Sequence, residues 1–348
     1  MQITISLFGA LLAFALCHPG GAFAKEPDPL FQSSDLLAIT VTGPFTTINK
    51  VRDKEKEYTD AQLIYAEHGN DLRLDVKLQV RGNFRLRKEV CRFAPLRIHF
   101  KQDQTKGTLF HKQKKLKLVT HCQTRSTNTQ YMLLEYLVYR AFNLLTDYSF
   151  KVRLAEVNYV NTQKNNSVVT KYAFFIEDKG RLGKRLGMEP IDLHRVEIEE
   201  MDPRQSNLVS TFQFMIGNTD WSMLSGEPDE ACCHNAKLLG RVDSKYFPIP
   251  YDFDFSGIIN AKYATPTPNI PISSVRTRFY RGFCELNHLL DGTLDRYRDN
   301  REAIYSLIEG QAQLSNPSKG KARKYLDGFY ELIDKPDRIE KKLIKRCR

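Results

Sequence analysis

The chain has 348 residues, with 52 Lys and Arg against 41 Asp and Glu, and a formal net charge of +11. A hydrophobic content of 41% is enough for a core and excludes a wholly disordered chain. The mean hydropathy of −0.44 excludes a polytopic membrane protein. The length suits one large domain or two packed lobes, and the basic balance favours an anionic partner.

The first 24 residues have the pattern of a secretory signal. An uncharged apolar run from Ile3 to Leu16 is followed by a helix-breaking Pro-Gly-Gly and by the A-x-A cleavage pattern that ends at Ala24. The run is too short for a comfortable membrane span. We therefore expect an exported chain, periplasmic or secreted, without a stable membrane span after cleavage.

Six of the seven cysteines lie beyond the signal, and an even set in an exported chain favours disulfides. Cys91 and Cys122 flank adjacent predicted strands, and we expect a bridge between them. The neighbours Cys232 and Cys233 are expected to pair outward rather than with each other. The alternative is a zinc site in which adjacent histidines join these cysteines, which the export signal disfavours.

The hydrophobic pattern divides the chain into a β-rich N-terminal part and a mostly helical C-terminal part. Alternating apolar residues predict strands, and apolar stripes of helical period predict helices. The predicted strands are 36–48, 72–82, 95–100, 115–119, 152–160 and 172–178, and the predicted helices are 131–145, 206–216, 283–290, 298–309 and 320–333. The Gly-containing segment 180–187 is interpreted as a flexible loop. The fold class is α+β, with a β-rich N-lobe at 25–178 and a helical C-lobe at 179–348.

The positive charge is concentrated in two segments. Residues 85–117 hold eleven Lys and Arg against two acidic residues, and residues 335–348 hold seven against two. The C-terminal cluster indicates a solvated tail helix. The first cluster lies on predicted strands, where alternation directs some of the charges to one face, and that arrangement suits phosphate binding.

Polar residues suited to phosphoryl transfer lie in the C-terminal part. Asp220, in GNTDW, follows a strongly apolar predicted helix, while Asp252 and Asp254, in PYDFDFSG, are spaced to share one side of an extended segment. Carboxylates held in this way suit a hard divalent cation, and a loop aspartate suits a base that orients a hydroxyl. Phosphoryl transfer needs this division of roles, with an asparagine completing the metal site, and Asn235 and Asn218 are rival candidates for it.

These motifs resemble the CotH kinase family, atypical protein kinases related to the spore-coat protein CotH, and more distantly HipA-like and secreted kinases. The similarity spans roughly residues 75–260, through RGN, PLRIHF, a long helix, a strand pair ending in FFIED, GNTDW, HN and PYDFDFSG. It implies a two-lobed atypical protein-kinase-like fold. It also implies transfer of a phosphoryl group from ATP or another nucleotide, with Mg²⁺ or Mn²⁺, to a hydroxyl on a protein or other envelope component.

The resemblance further implies roles for individual residues. Asp220 matches the catalytic aspartate, Asp252 or Asp254 the metal-binding aspartate, and Asn235 a second metal ligand. The residues implied for nucleotide binding are Arg81 and Arg97 over the phosphates, Glu135 as the helix partner of a phosphate-binding base, and Glu177 at the hinge beside the adenine. The 15 residues from Asp220 to Asn235 are more than kinase catalytic loops usually have between these positions.

Two other functions remain as alternatives. A catalytically degenerate kinase fold would use the basic strand surface to bind an anionic envelope component, such as a phosphorylated glycan or a lipid headgroup. Nucleic acid is disfavoured as a partner, because the chain carries an export signal and no recognised basic-aromatic module.

Overall fold

The computed structural model of the protein describes residues 24–52, 58–226 and 230–348. The predicted signal, apart from Ala24, lies outside the described residues. The fold is mixed α/β: a closed barrel of seven strands, a smaller three-stranded sheet, and helices that pack against both. No helix within the described ranges is long and apolar enough to cross a membrane.

The barrel is formed by the N-terminal half of the chain. Its strands are β1 (Leu37–Gly43), β2 (Thr59–Glu67), β3 (Asn70–Val80), β4 (Leu96–Phe100), β5 (Lys115–Val119), β6 (Val152–Asn161) and β7 (Ser167–Ile176). They follow one another around the barrel in the order β1-β2-β3-β4-β5-β7-β6. Neighbouring strands are antiparallel except at the closure, where β1 pairs in parallel with β6.

Alternate residues of the barrel strands point inward, as β4 illustrates. Leu96, Ile98 and Phe100 are buried in the barrel core, while Arg97 and His99 between them are only half-buried. Successive side chains of a strand point to opposite faces, so a period of two in the sequence fills the interior with apolar groups. The polar residues are thereby placed on the outer face of the barrel.

The helices and the small sheet surround a second hydrophobic core. The helices are α1 (Phe45–Val51), α2 (Gln102–Thr105), α3 (Ser126–Leu145), α4 (Lys179–Leu186), α5 (Pro203–Ile216), α6 (Leu290–Asp299), α7 (Arg301–Glu309), α8 (Asn316–Ile333) and α9 (Pro336–Lys342). The small sheet consists of β8 (Glu189–Ile191), β9 (Ala236–Gly240) and β10 (Phe247–Pro250), with β9 in the centre. The second core includes α3, α5, α8 and the outward-facing residues of β6 and β7.

Helix α3 joins the two parts of the molecule. Most of its residues are buried because it packs against β7 on one side and against the C-terminal helices on the other. Phe142 contacts Phe212 of α5 with 4.6 Å between ring centroids, and Tyr139 contacts Phe174 of β7 at 5.7 Å. A helix that is apolar on nearly all sides is the expected sequence for such an enclosed position.

Most of the regular elements agree with the sequence pattern, and several differ. The predicted strands omit β2, β8 and β9, and the helix predicted at 283–290 is only a 3₁₀ turn at Cys284–Leu289 that precedes α6. The predicted strand 36–48 is wrong at its end, because Pro44 interrupts it and Phe45–Val51 form α1. The flexible loop predicted at 180–187 is also wrong, since Lys179–Leu186 form α4. The Asp178 side chain caps that helix by accepting hydrogen bonds from two backbone amides of its first turn.

The cysteines beyond the signal form three bridges. Cys91–Cys122 is present as predicted, with 4.5 Å between Cα atoms, and it links the turn after β3 to the end of β5. Cys284–Cys347 joins the C-terminal end of the chain to the segment before α6. The outward pairing predicted for Cys232 and Cys233 is wrong: they bridge each other, because the other four cysteines pair among themselves and both sulfurs are buried against the Met223 carbonyl. The bridges leave no cysteine thiolate for the zinc alternative.

Candidate functional site

Asp220 lies in a tight turn that begins where α5 ends. Gly217 terminates the helix in the left-handed conformation, at φ 66°. The buried Asn218 then accepts a hydrogen bond from the Asp220 backbone N–H through Oδ1 and donates one from Nδ2 to Gln213. Its carbonyl accepts a hydrogen bond from Trp221 Nε1. Both ends of the Asn218 amide are therefore engaged in shaping the turn that presents Asp220.

Two consecutive residues hold the Asp220 carboxylate from the other side. His234 Nε2 lies 2.8 Å from Asp220 Oδ1, and Asn235 Nδ2 donates to Asp220 Oδ2 at 3.0 Å and to its backbone carbonyl at 2.7 Å. Asn235 adopts a left-handed backbone conformation, which asparagine tolerates better than most residues. The structure thus brings Asp220 and Asn235 into direct contact across the 15 residues that separate them.

The β9–β10 hairpin places Asp252 next to this pair. Ala236 and Pro250 face each other in the hairpin, so the residues just outside them are neighbours, and Tyr251 N–H donates to the Asn235 carbonyl at 3.0 Å. Asp252 follows immediately. The extended segment predicted around Asp252 is wrong, since β10 ends at Pro250 and Asp252 is left-handed at φ 60°. Its backbone N–H is held by the Tyr139 hydroxyl of α3, at 2.8 Å.

Asp254 and Glu135 form a second, deeper layer of acidic groups. Asp254 is 5% exposed and accepts a hydrogen bond from the Tyr263 hydroxyl at 3.0 Å. Burial, followed by the charge of Asp252, raises the pKa of Asp254 to about 7. Burial and the charge of Asp254 likewise raise the pKa of Glu135 well above its usual range. The negative charge of each carboxyl group raises the pKa of the other, because like charges disfavour ionisation.

Arg85 is the cation of this layer. It lies in a short turn after β3, where Phe84 packs edge-on against Phe255 at 5.1 Å between centroids. Its Nη1 lies 3.5 Å from Glu135 Oε2, and its Nη2 donates to the Thr120 carbonyl at 2.8 Å. The helix glutamate thus pairs with Arg85 rather than with either arginine that the family resemblance implies.

The outer face of β3, β4 and β5 presents further cations to the site. Arg97 of β4 lies directly opposite Lys117 of β5. Arg81 lies just after the end of β3, two residues beyond Gln79, which pairs with Arg97, so Arg81 is on the same outer face of the barrel. The Lys117 ammonium lies 4.7 Å from the centroid of the Tyr251 ring, and the Lys237 ammonium of β9 lies 5.3 Å from it. Burial, and next the charge of Arg81, lower the pKa of Lys117 to about 7.

Glu177 does not face these groups. Both of its carboxylate oxygens bind Arg185 of α4 at 3.0 Å, and the Lys151 backbone N–H donates to the same carboxylate at 3.1 Å. Arg185 also donates to the backbone carbonyls of Asp147 and Ser149. The Glu177 side chain is therefore occupied by partners within the protein.

Several residues of the site are absent from the sequence-based set. His234, Arg85 and Lys237 position or surround the predicted residues, and Tyr139 and Tyr263 hold Asp252 and Asp254. The HN dipeptide is a usable signal for His234, because it adjoins the predicted Asn235. No local signal identifies either tyrosine, since their partners are distant in the sequence or lie outside regular elements.

Asn235 and Asp252 are the groups best suited to hold a divalent cation. Asn235 Oδ1 and the Asp252 carboxylate accept no hydrogen bond from any described residue, so their oxygens are available to a ligand. Within the described ranges, no three His, Cys, Asp or Glu side chains cluster at metal-binding distances. Mg²⁺ is commonly bound by one or two carboxylates together with substrate phosphates and water, so two oxygen donors fit it.

The site therefore contains a half-exposed aspartate on a fixed turn, two oxygen donors beside it, and an opposing row of cations. No protein-family model matches the chain, and no curated protein matches its sequence.

Proposed function

We propose that the protein is a phosphotransferase that moves a phosphoryl group from a metal-bound donor to a hydroxyl of a protein or other envelope component. The proposal rests on one chain of contacts. Asn235 binds the Asp220 carboxylate, and its backbone carbonyl accepts a hydrogen bond from Tyr251, which directly precedes Asp252. The proposed fold is a two-lobed, atypical kinase-like arrangement in which the barrel forms one lobe. The donor would be ATP or another phosphoanhydride, with Mg²⁺ or Mn²⁺.

Asp220 has the properties that a base for a hydroxyl requires. Its side chain is 29% exposed, so an acceptor can reach it. His234 and Asn235 each engage one of its oxygens and leave further lone pairs, and the short turn after α5 fixes its backbone. In phosphoryl transfer such an aspartate orients the attacking hydroxyl and accepts its proton.

The remaining groups would bind and position the donor. A divalent cation held by Asn235 and Asp252 would neutralise charge that develops on the phosphate oxygens. Arg81 and Arg97 would bind phosphate oxygens from the barrel side. Arg85 and Glu135 tie α3 to the turn after β3, and Tyr139 of the same helix holds the Asp252 backbone, so α3 acts as the support of the site.

The test is transfer of labelled phosphate by residues 25–348, supplied with Mg²⁺ or Mn²⁺ and either labelled ATP or another labelled phosphoanhydride, together with an acceptor mixture. We expect Asp220→Asn and Asp252→Asn each to lower the rate by about 10³-fold, because each removes a group needed in the transition state. The matched control is Asp291→Asn on the exposed side of α6, which leaves the site intact. Equal rates in all three variants would contradict the assignment.

A degenerate site that only binds anions is the second candidate. The like-charged pair of Arg97 and Lys117 favours it, since neither side chain forms an ion pair with a described residue. Calorimetry separates the two functions. Strong, salt-sensitive anion binding that requires no metal, without transfer from any donor, would support binding alone.

A further inference from the structure

We propose that the phosphoryl donor is a linear phosphoanhydride chain longer than a triphosphate, the chemistry of inorganic polyphosphate, and that its distal phosphates lie along Lys117 and Lys237. This inference rests on the proposed function and extends it by naming the class of donor. The terminal phosphate would lie at the metal-binding residues, and the chain would continue along the cations of the barrel.

The cations of the row repel one another, and the acidic groups that act on them offset this only in part. Asp252 acts on Arg81 and Lys117, while Asp192 and Glu230 act on Lys237. Arg97 and Lys117 are direct cross-strand neighbours, and like charges in that position destabilise a sheet. None of Arg81, Arg97, Lys117 and Lys237 forms an ion pair with a residue that the structure describes. A repulsive row of this kind is stabilised when a polyanion binds, because each cation then gains a charge-assisted hydrogen bond.

The row extends past the place where the phosphates meet the metal-binding residues. Tyr251 directly precedes Asp252, and the ammonium groups of Lys117 and Lys237 are both within cation–π range of its ring. The two nitrogens are therefore no more than about 10 Å apart. Together these two ammonium groups form the second anion subsite of the proposal, for the distal phosphates.

The same arrangement disfavours a nucleoside at this end of the row. A base is held by apolar or aromatic surface, with a few hydrogen bonds at its edge. Here the ring of Tyr251, which directly precedes Asp252, already contacts two cations. Further phosphates offset the repulsion between these ammonium groups, whereas a neutral base does not.

The reaction balances without a redox partner. The oxygen of the acceptor hydroxyl forms a bond to the terminal phosphorus, and the terminal phosphoanhydride P–O bond breaks. The proton of the hydroxyl passes to Asp220 and then to water. The products are a phosphate monoester and a polyphosphate shortened by one phosphate, which leaves with the bridging oxygen.

The binding test uses calorimetry with tripolyphosphate and with long-chain inorganic polyphosphate, at constant ionic strength. We expect Lys237→Gln to weaken binding of the long chain by about tenfold and that of tripolyphosphate by less than about twofold, because only the long chain reaches Lys237. Lys237→Arg keeps the charge and is expected to keep the preference for the long chain. Lys324→Gln, an exposed change on α8, is the matched control.

Equal losses for both ligands in Lys237→Gln, or no loss for either, would overturn the inference. Loss of the preference in Lys237→Arg as well would also overturn it, because that result assigns Lys237 a structural role rather than an electrostatic one.

The transfer test compares labelled polyphosphate with labelled ATP. Faster transfer from polyphosphate, abolished in Asp220→Asn, supports the inference. Transfer from ATP alone, with the same dependence on Asp220, overturns the inference and leaves the proposed function standing. Binding of polyphosphate that depends on Lys237, without transfer from any donor, overturns the proposed function and retains only the polyphosphate subsite.

Discussion

The molecule contains two buried ion pairs that are built in opposite ways. Glu177 and Arg185 face each other with two N–O contacts of 3.0 Å, and Arg185 is surrounded by further backbone acceptors. Glu135 and Arg85 approach only to 3.5 Å, and among the described residues Arg85 Nε has no hydrogen-bond partner. The first pair is surrounded by hydrogen-bond partners within the protein, and we call it the closed pair. The second pair also interacts with the charges of Asp252 and Asp254, and we call it the open pair.

The difference separates a structural role from a functional one. A buried pair whose hydrogen bonds are all internal holds two elements together, and removal of one partner leaves an uncompensated charge. In a buried cluster of several acidic and basic groups, the pKa values of the members are shifted instead. Such shifts are typical of sites that bind or transform ligands. Asp254 and Glu135 both have raised pKa values, and both interact with Arg85 of the open pair.

The largest effect on stability is expected at the closed pair. Arg185→Met should lower the free energy of unfolding by about 3–5 kcal/mol, because Glu177 would then be buried without a partner. Urea denaturation measures this, with Arg195→Met as the control. Arg195 pairs with Glu197 on the surface, where removal costs at most about 1 kcal/mol. Equal stabilities of the two variants would contradict the structural role of the closed pair.

The open pair should tolerate the equivalent change better. We expect Arg85→Met to cost about 1–3 kcal/mol at neutral pH, because burial already raises the pKa of Glu135, so the carboxyl group can become neutral once its partner is lost. A carboxyl whose pKa is raised in the folded state binds more protons there than in the unfolded chain. Stability of the variant therefore falls as the pH rises through the neutral range. A loss that does not change with pH would show that Glu135 stays ionised.

The smallest expected effect is a pH dependence of anion binding. The pKa of Lys117 is lowered to about 7, so its ammonium loses its proton as the pH rises through neutrality. We expect long-chain polyphosphate to bind about three- to tenfold more weakly at about pH 8 than at about pH 6. Lys117→Arg should remove most of this change, since a guanidinium stays protonated. An unchanged profile in that variant would assign the titration to another group.

Sequence patterns predict six of the seven barrel strands, because their residues alternate between an apolar core and an outer face, and they miss β2. They also identify Asp220, Asn235 and Asp252 together as candidate site residues, because the order and types of these residues resemble those of a known family. The backbone conformation of Asp252 is not predictable in this way. It is held by the hydroxyl of Tyr139, 113 residues earlier in the chain, and no local preference for an extended segment reveals that contact.

The internal pairing of the Glu177 side chain is likewise not predictable from the local sequence. Its partner Arg185 belongs to the segment 180–187, whose glycines favour a loop when considered alone. Tertiary contacts override that preference, and once the segment is helical, Arg185 reaches back to the glutamate. The wrong prediction for this element thus concealed the partner of a residue eight positions away.

The parallel closure of the barrel determines when the N-terminal half can fold during synthesis. One edge of β1 pairs with β2, and the other pairs with β6, where Leu37 lies opposite Ala155. The second edge of β1 therefore stays unpaired until β6 has been synthesised. Nascent chains that end before residue 152 expose open strand edges, which are prone to pair with other chains. A truncation meant to isolate the barrel must therefore extend through Ile176, where β7 joins β5 to β6.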